Sequence, residues 1–228
     1  MDMHNVDINV VELTLDVMKF AIGRITDKEP PLGVPKTETE LKTLVGDTIT
    51  PSGIGGETAF KIFRDILLKA SVAIDHPRHL AFVPASPTRA AVMFDLVTSA
   101  ASVHGAFWLE GAGCIFAENE AMRWLVSLNG RPDGSFGVFT TGGTSANLSA
   151  LVAAREKWRE GDDARRSKRG LIVASAGAHS SIAAMAKVMD ADLHLIDTEE
   201  RFEAPTLVSG LDALSPDDRE RVFAVVVT

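Results

Sequence analysis

The stretch FGVFTTGGTSANLSALVAAREKW, residues Phe136 to Trp158, sets two glycines between a β-branched and aromatic run and a run of helical composition. FGVFTT predicts a strand and SANLSALVAAREKW a helix, which leaves Thr140, Thr141, Gly142, Gly143 and Thr144 at the turn between them. At such a turn the first N–H groups of the helix lack intrahelical partners and the helix dipole adds partial positive charge, so the position suits an anion. Gly142 and Gly143 let the backbone approach a phosphate and are free to take positive φ, while Thr144 or Ser145 is expected to cap the helix and add a hydroxyl donor. Leu148, Leu151, Val152 and Trp158 form its expected buried face. A tight turn with an N-cap and no ligand satisfies the same spacing. The residues match neither GxGxxG nor GxxxxGK[ST], so dinucleotide and nucleoside-triphosphate readings lose support.

Downstream, GLIVAS predicts a strand, SSIAAMAKVMD a helix, and DLHLID and RVFAVVVT two more strands. Strands that are apolar throughout and alternate with helices point to a parallel sheet covered on both faces, joined by right-handed crossovers. His179 follows a strand and opens a helix one unit beyond the glycines, at the same sheet edge. A histidine there suits ring stacking or proton transfer, and equally suits a partly exposed polar position. FAVVVT reaches Thr228 at the carboxyl end of a strand, where ligand groups of open α/β sheets gather, so further chain is expected and residues 1–228 alone are expected to be poorly soluble.

Upstream, Val10, Leu13, Val17, Phe20 and Ile25 recur at helical spacing over residues 6–25. EPPLGVPKTETE reads as an extended crossing, with a short helix starting near Thr39 or Glu40. A helical pattern at Phe60, Phe63, Leu67 and Ala70 follows, then the turn-rich DHPRHLAFVPASPTRAA, a largely buried helix over 90–104, and a helix at the end of WLEGAGCIFAENEAMRWLVSL. A boundary near residue 90 divides an N-terminal helical arm with its loop (1–90) from the sheet-bearing part (91–228).

The 228 residues are 46% hydrophobic and carry a net charge of −8, which fits a globular protein with a sizeable core and disfavours nucleic acid as a partner. The lone Cys114 excludes an internal disulfide and suits a reducing, cytoplasmic setting. Acids replace the basic residues of a signal peptide at the N-terminus, and Asp95 and His104 interrupt the most apolar segment, so neither secretion nor a membrane span is expected. His76 and His79 lack an acidic or cysteine partner for a metal site. Glu118 and Glu120, two apart, do not share a helix face.

FGVFTTGGTSANLSALVAAR resembles the phosphate-binding segment of the group II pyridoxal-phosphate-dependent amino-acid decarboxylases, the family of aromatic-amino-acid and glutamate decarboxylases. AHSSIAAM resembles the segment with the family's ring-stacking histidine, DHPRHLAFVPASPTRAA its His-Pro substrate-side loop, and the N-terminal helix its dimer-forming arm. The resemblance implies an α/β, fold type I architecture: a helical arm followed by the first part of a mainly parallel sheet domain flanked by helices. It implies that Gly143 and Thr144 hold the phosphate of pyridoxal 5'-phosphate, with Ser145 nearby in place of the family's common acidic residue, and that His179 stacks on the ring. Phe82, Pro84 and Ala85 fall on the substrate-side loop, and Trp108 begins a loop that crosses toward a partner's site. The implied reaction is decarboxylation of an L-amino acid by a homodimer. Other chemistry on the scaffold (transamination, aldehyde formation, lyase chemistry) and a non-catalytic phosphate-binding remnant are the alternatives. The family's aspartate under the ring nitrogen and its Schiff-base lysine fall beyond residue 228, so a C-terminal companion is expected to supply them, since Lys157, Lys168 and Lys187 fall on helix or loop patterns.

Overall fold

The computed structural model describes residues 7–82, 85–198 and 201–227, in two compact units, Met1–Cys114 and Ile115–Thr228. In the first, helix α1 (Ile8–Thr26) starts where the Asp7 carboxylate accepts the N–H groups of Asn9 and Val10 at 2.9 and 3.0 Å. Helix α2 (Glu38–Val45) has a reciprocal cap: the Thr37 hydroxyl accepts from Glu40 N at 3.3 Å and the Glu40 carboxylate accepts from Thr37 N at 2.7 Å. Helix α3 (Gly56–Ile62) continues through a π-helical turn, Phe63–Leu67, and a 3-10 turn, Leu68–Ala70. It meets α1 edge-on, with the Phe20 and Phe60 rings 5.8 Å apart.

The extended crossing is tied to this helix end by the backbone: Val34 N donates to Lys69 O and Ala73 N to Leu32 O, at 3.1 and 2.8 Å. Between them Gly33 has φ +78°, and a Cβ there would lie 2.0 Å from Ser71 O. Arg24 clamps Asp75 through two bonds of 2.8 and 2.6 Å, and this guanidinium holds the Asp75 carboxyl below its usual pKa. Helix α4 (Arg89–Ala100) is capped by the Thr88 hydroxyl. The burial expected for it is not found: Met93, Phe94, Leu96 and Val97 are exposed. An apolar helix face becomes buried only when a second element covers it. Helix α5 (Trp108–Leu128) bends at Gly111 and runs across the boundary between the units.

The second unit contains α6 (Gly143–Arg159), the short α7 (Asp163–Arg166), β1 (Leu171–Ser175), α8 (Ser180–Val188), β2 (Asp192–Ile196), α9 (Ala204–Asp212), α10 (Pro216–Arg221) and β3 (Val222–Val226). The three strands are parallel in the order β2-β1-β3, with Ile172 opposite Leu193 on one side and Ala224 on the other. The central strand is buried throughout, as its unbroken apolar run requires. Ile172 and Ala174 pack with Leu151 of α6 and with Ile182, Met185 and Ala186 of α8. Trp158 is half-buried rather than part of that core: its indole N–H donates to Glu220 O at 3.1 Å.

One expected strand is missing. Residues 136–141 pair with none of these strands, and Phe136, Val138 and Phe139 are exposed. Apolar β-branched composition suits an extended chain, but a strand exists only where a neighbouring edge accepts its hydrogen bonds. The basic cluster at 164–170 turns inward on its own unit: Arg165 donates to Trp158 O at 2.8 Å, and Arg169 pairs with Asp190 and Asp192 at 3.2 and 3.4 Å.

Candidate cofactor site

Helix α6 opens at Gly142, which has φ 162° and ψ 167° and is extended, and no side chain caps the helix. Two expectations are thereby corrected. Neither Gly142 nor Gly143 takes a left-handed φ, because the chain enters the helix from an extended segment and needs no such residue there. Neither Thr144 nor Ser145 is the cap, since both lie inside the first turn. The neighbouring hydroxyls act locally: Thr140 donates to Gly142 O at 3.0 Å, and the Thr141 and Ser145 hydroxyls lie 3.3 Å apart.

The first-turn N–H groups of a 17-residue helix thus lack a side-chain acceptor. A Cβ at Gly142 or Gly143 would meet nothing within 4 Å, so the space over the helix end is open. Open space, unsatisfied donors and the positive end of a helix dipole together fit a phosphate dianion.

His179 is the N-cap of α8 and is exposed. Its Nδ1 accepts from Ser181 N at 3.1 Å, so the ring proton resides on Nε2. The Ser181 hydroxyl lies 2.9 Å from the same Nδ1 and accepts from Asn147 Nδ2 at 3.0 Å. Asn147 sits one turn into α6, so this bond places the openings of α6 and α8 side by side. Asn147 and Ser181 were missed from sequence; the only signal was an asparagine four residues beyond Gly143 on a helix face.

The remaining candidates lie in the first unit. Phe82 has φ 61°, in the left-handed region, and is 93% exposed; Ala85 is exposed, and the exposed Trp108 begins α5. Pro84 lies outside the described residues. His76 Nδ1 accepts from Arg78 N at 3.0 Å, closing a local turn. Glu120 pairs with Arg123 on the α5 surface. Among the described residues no group of three or more His, Cys, Asp or Glu could hold a metal ion, and no helix is long and apolar enough to cross a membrane. Lys157 pairs with Glu160 in α6 and its C-cap, and Lys168 lies 3.9 and 3.7 Å from Asp217 and Glu220. Lys187 is in the last turn of α8.

Comparison with known proteins bears on these features. The chain is 26% identical over 223 residues to the aromatic-L-amino-acid decarboxylase of Bacillus atrophaeus, covering 96% of this chain and 44% of that protein. It is 28% identical over 223 residues to the L-2,4-diaminobutyrate decarboxylase of Rhizobium meliloti (strain 1021), covering 93% and 44%. The chain therefore spans under half the length of these curated relatives. Its fold matches that of Oryza sativa TDC, solved with PLP and tryptamine, with a TM-score of 0.79 at 20% identity over 93% of this chain and 47% of that one. The architecture is thus the helical arm and first sheet portion of the fold type I class. The profile of the pyridoxal-dependent decarboxylase conserved domain matches residues 54–228, and the chain belongs to that family.

Proposed function

We propose that this chain supplies the phosphate anchor and the ring-stacking histidine of an enzyme that decarboxylates an L-amino acid to an amine and carbon dioxide with pyridoxal 5'-phosphate. The observation that carries the reading is the uncapped, open start of α6 at Gly142 and Gly143 beside the His179 cap of α8. The N–H groups of Gly143, Thr144 and Ser145 and the hydroxyls of Thr144 and Ser145 receive the phosphate. Serine at 145, where the family resemblance implies an acid, adds a donor and no negative charge beside that dianion.

The cofactor, when bound, supplies an electron sink for the pair left behind by carbon dioxide. His179 lays its imidazole against the cofactor ring and keeps a proton at Nε2, facing away from the helix that holds Nδ1. With the phosphate gripped at one end and the ring at the other, the substrate carboxylate is oriented for departure. Phe82, Pro84 and Ala85 border the substrate side chain, and Trp108 opens a segment that reaches a partner's site.

In this reading residues 1–90 are the arm and substrate loop, and 91–228 begin the cofactor domain. A segment outside residues 1–228 provides the cofactor-binding lysine and the aspartate under the ring nitrogen. The matches to under half of each relative support that division. The whole unit works as a cytoplasmic homodimer.

The test is borohydride reduction of the full natural polypeptide, with intact mass, visible spectrum and product analysis over a panel of L-amino acids. The expected outcome is a yellow protein, a reduced cofactor adduct outside residues 1–228, and equal yields of amine and carbon dioxide. Carbon dioxide without a matching amine would rule out simple decarboxylation. Gly143→Val, which fills the open space above α6, is expected to weaken cofactor binding roughly 10- to 100-fold, because it obstructs charge-assisted bonds to the phosphate. Unchanged cofactor content would remove Gly143 from the site.

A further inference from the structure

We infer that Asn147 and Ser181 are positioning residues that orient His179 and direct its proton to Nε2, through a one-way chain of hydrogen bonds from α6 to α8. The inference rests on the reading that His179 faces the cofactor, and it adds two residues that composition and motif did not single out. Three contacts carry it: Asn147 Nδ2 to Ser181 Oγ at 3.0 Å, Ser181 Oγ to His179 Nδ1 at 2.9 Å, and Ser181 N to the same Nδ1 at 3.1 Å.

The direction follows from what each group is able to donate. The Asn147 amide nitrogen is only a donor, so the Ser181 oxygen accepts from it and the hydroxyl proton is left to point elsewhere. The acceptor in reach is His179 Nδ1, which already takes the Ser181 backbone N–H. With two donors converging on Nδ1, a proton on that nitrogen would meet the backbone N–H head-on, and the ring carries it on Nε2. Ser181 is buried, with 5% of its surface exposed, so water competes little for its hydroxyl and the bond direction persists.

The two grips on the cofactor are thereby joined. Asn147 lies one turn along the helix that starts at Gly143, and Ser181 lies in the first turn of the helix that His179 caps. A displacement of the α6 opening is passed to the plane of the histidine ring through a single buried hydroxyl.

The test uses the full natural polypeptide with 15N-labelled histidine, studied without and with pyridoxal 5'-phosphate. The ring 15N shifts report the His179 tautomer, and visible circular dichroism reports the tilt of the bound cofactor. The unsubstituted protein is expected to show the Nε2–H form alone. Ser181→Ala should lower the ratio of Nε2–H to Nδ1–H forms about five-fold, the loss of one hydrogen bond, with a changed dichroic band. Asn147→Asp has the same shape but only accepts, so it should turn the Ser181 proton away from the ring and reproduce the Ser181→Ala shifts. Ser181→Thr, which keeps the hydroxyl, should restore the original spectrum, and the Asn147→Asp/Ser181→Ala pair should be no worse than either alone.

Unchanged tautomer and dichroism in both Ser181→Ala and Asn147→Asp would overturn the inference, as would a lowered melting temperature with unchanged ring shifts. Failure of the underlying reading has a separate signature: cofactor binding would leave the His179 ring shifts of the unsubstituted protein unmoved.

Discussion

The two units contain the same kinds of apolar residue and dispose of them differently. In residues 115–228, Leu151, Ile172, Ala174, Ile182 and Met185 interlock around a central strand whose Ile172 is wholly inaccessible to solvent. In residues 7–114, Val10, Leu15, Val17, Phe94 and Val97 stand exposed, and the ties between elements among the described residues are few: the Phe20–Phe60 ring contact, the Arg24–Asp75 clamp and the two backbone bonds that flank Gly33. A helix stripe needs an opposing face, whereas β1 has a parallel strand on each side and both α6 and α8 packed on the face that carries Ile172 and Ala174. The sheet unit therefore carries its own core, and the N-terminal unit offers apolar surface that invites a further covering element.

The contrast can be broken first at Ile172. Ile172→Ala removes side-chain volume from the closed core and is expected to cost about 2–5 kcal/mol in denaturant unfolding of the sheet unit. A loss as small as that of Phe94→Ala, at a position 71% exposed, would mean that the two units do not differ in packing.

A smaller effect is expected in the N-terminal unit, from backbone and not from core. Gly33→Ala sets a Cβ against Ser71 O at a positive φ, with a cost of roughly 1–3 kcal/mol. It should appear as faster hydrogen exchange confined to residues 7–114; an unchanged exchange pattern would show that the crossing is not held at Gly33.

The smallest effect concerns pH. The depressed pKa of Asp75 means that its ion pair contributes fully above the ordinary carboxylate value of about 4 and is lost as pH falls through the lower folded value. Asp75→Asn should therefore destabilise by about 1 kcal/mol at pH 7, and the gap from the unsubstituted protein should close in acid. Melting curves at pH 7 and pH 3 check this, and a gap of constant size would show that Arg24 and Asp75 do not pair in solution.

Legibility from sequence followed the range of the interactions. β1, β2, β3, α6 and α8 were all predicted, since unbroken apolar runs and 3.6-residue spacing are local signals. The caps at Asp7 and Thr37 were local too, but the Thr37–Glu40 box placed the start of α2 slightly ahead of the reading from Thr39 or Glu40. Residues 136–141 failed because pairing depends on a remote edge, and α4 formed as expected but without its expected burial, because apolar composition does not reveal whether anything lies opposite. At the site, Gly143 and His179 stood out by type and position. Asn147 and Ser181 did not, since a bond across 34 residues leaves no periodic mark.

The alternation of strands and helices, the glycine opening of α6 and the histidine at the start of α8 were set locally along the chain, because backbone freedom, capping and hydrophobic period act over a few residues. Tertiary structure alone decided which apolar residues became a core, that Gly142 stayed extended, and that α6 and α8 meet through Asn147 and Ser181. Those outcomes depend on which surfaces and donors come within reach once the sheet has assembled, and that proximity is a property of the folded chain.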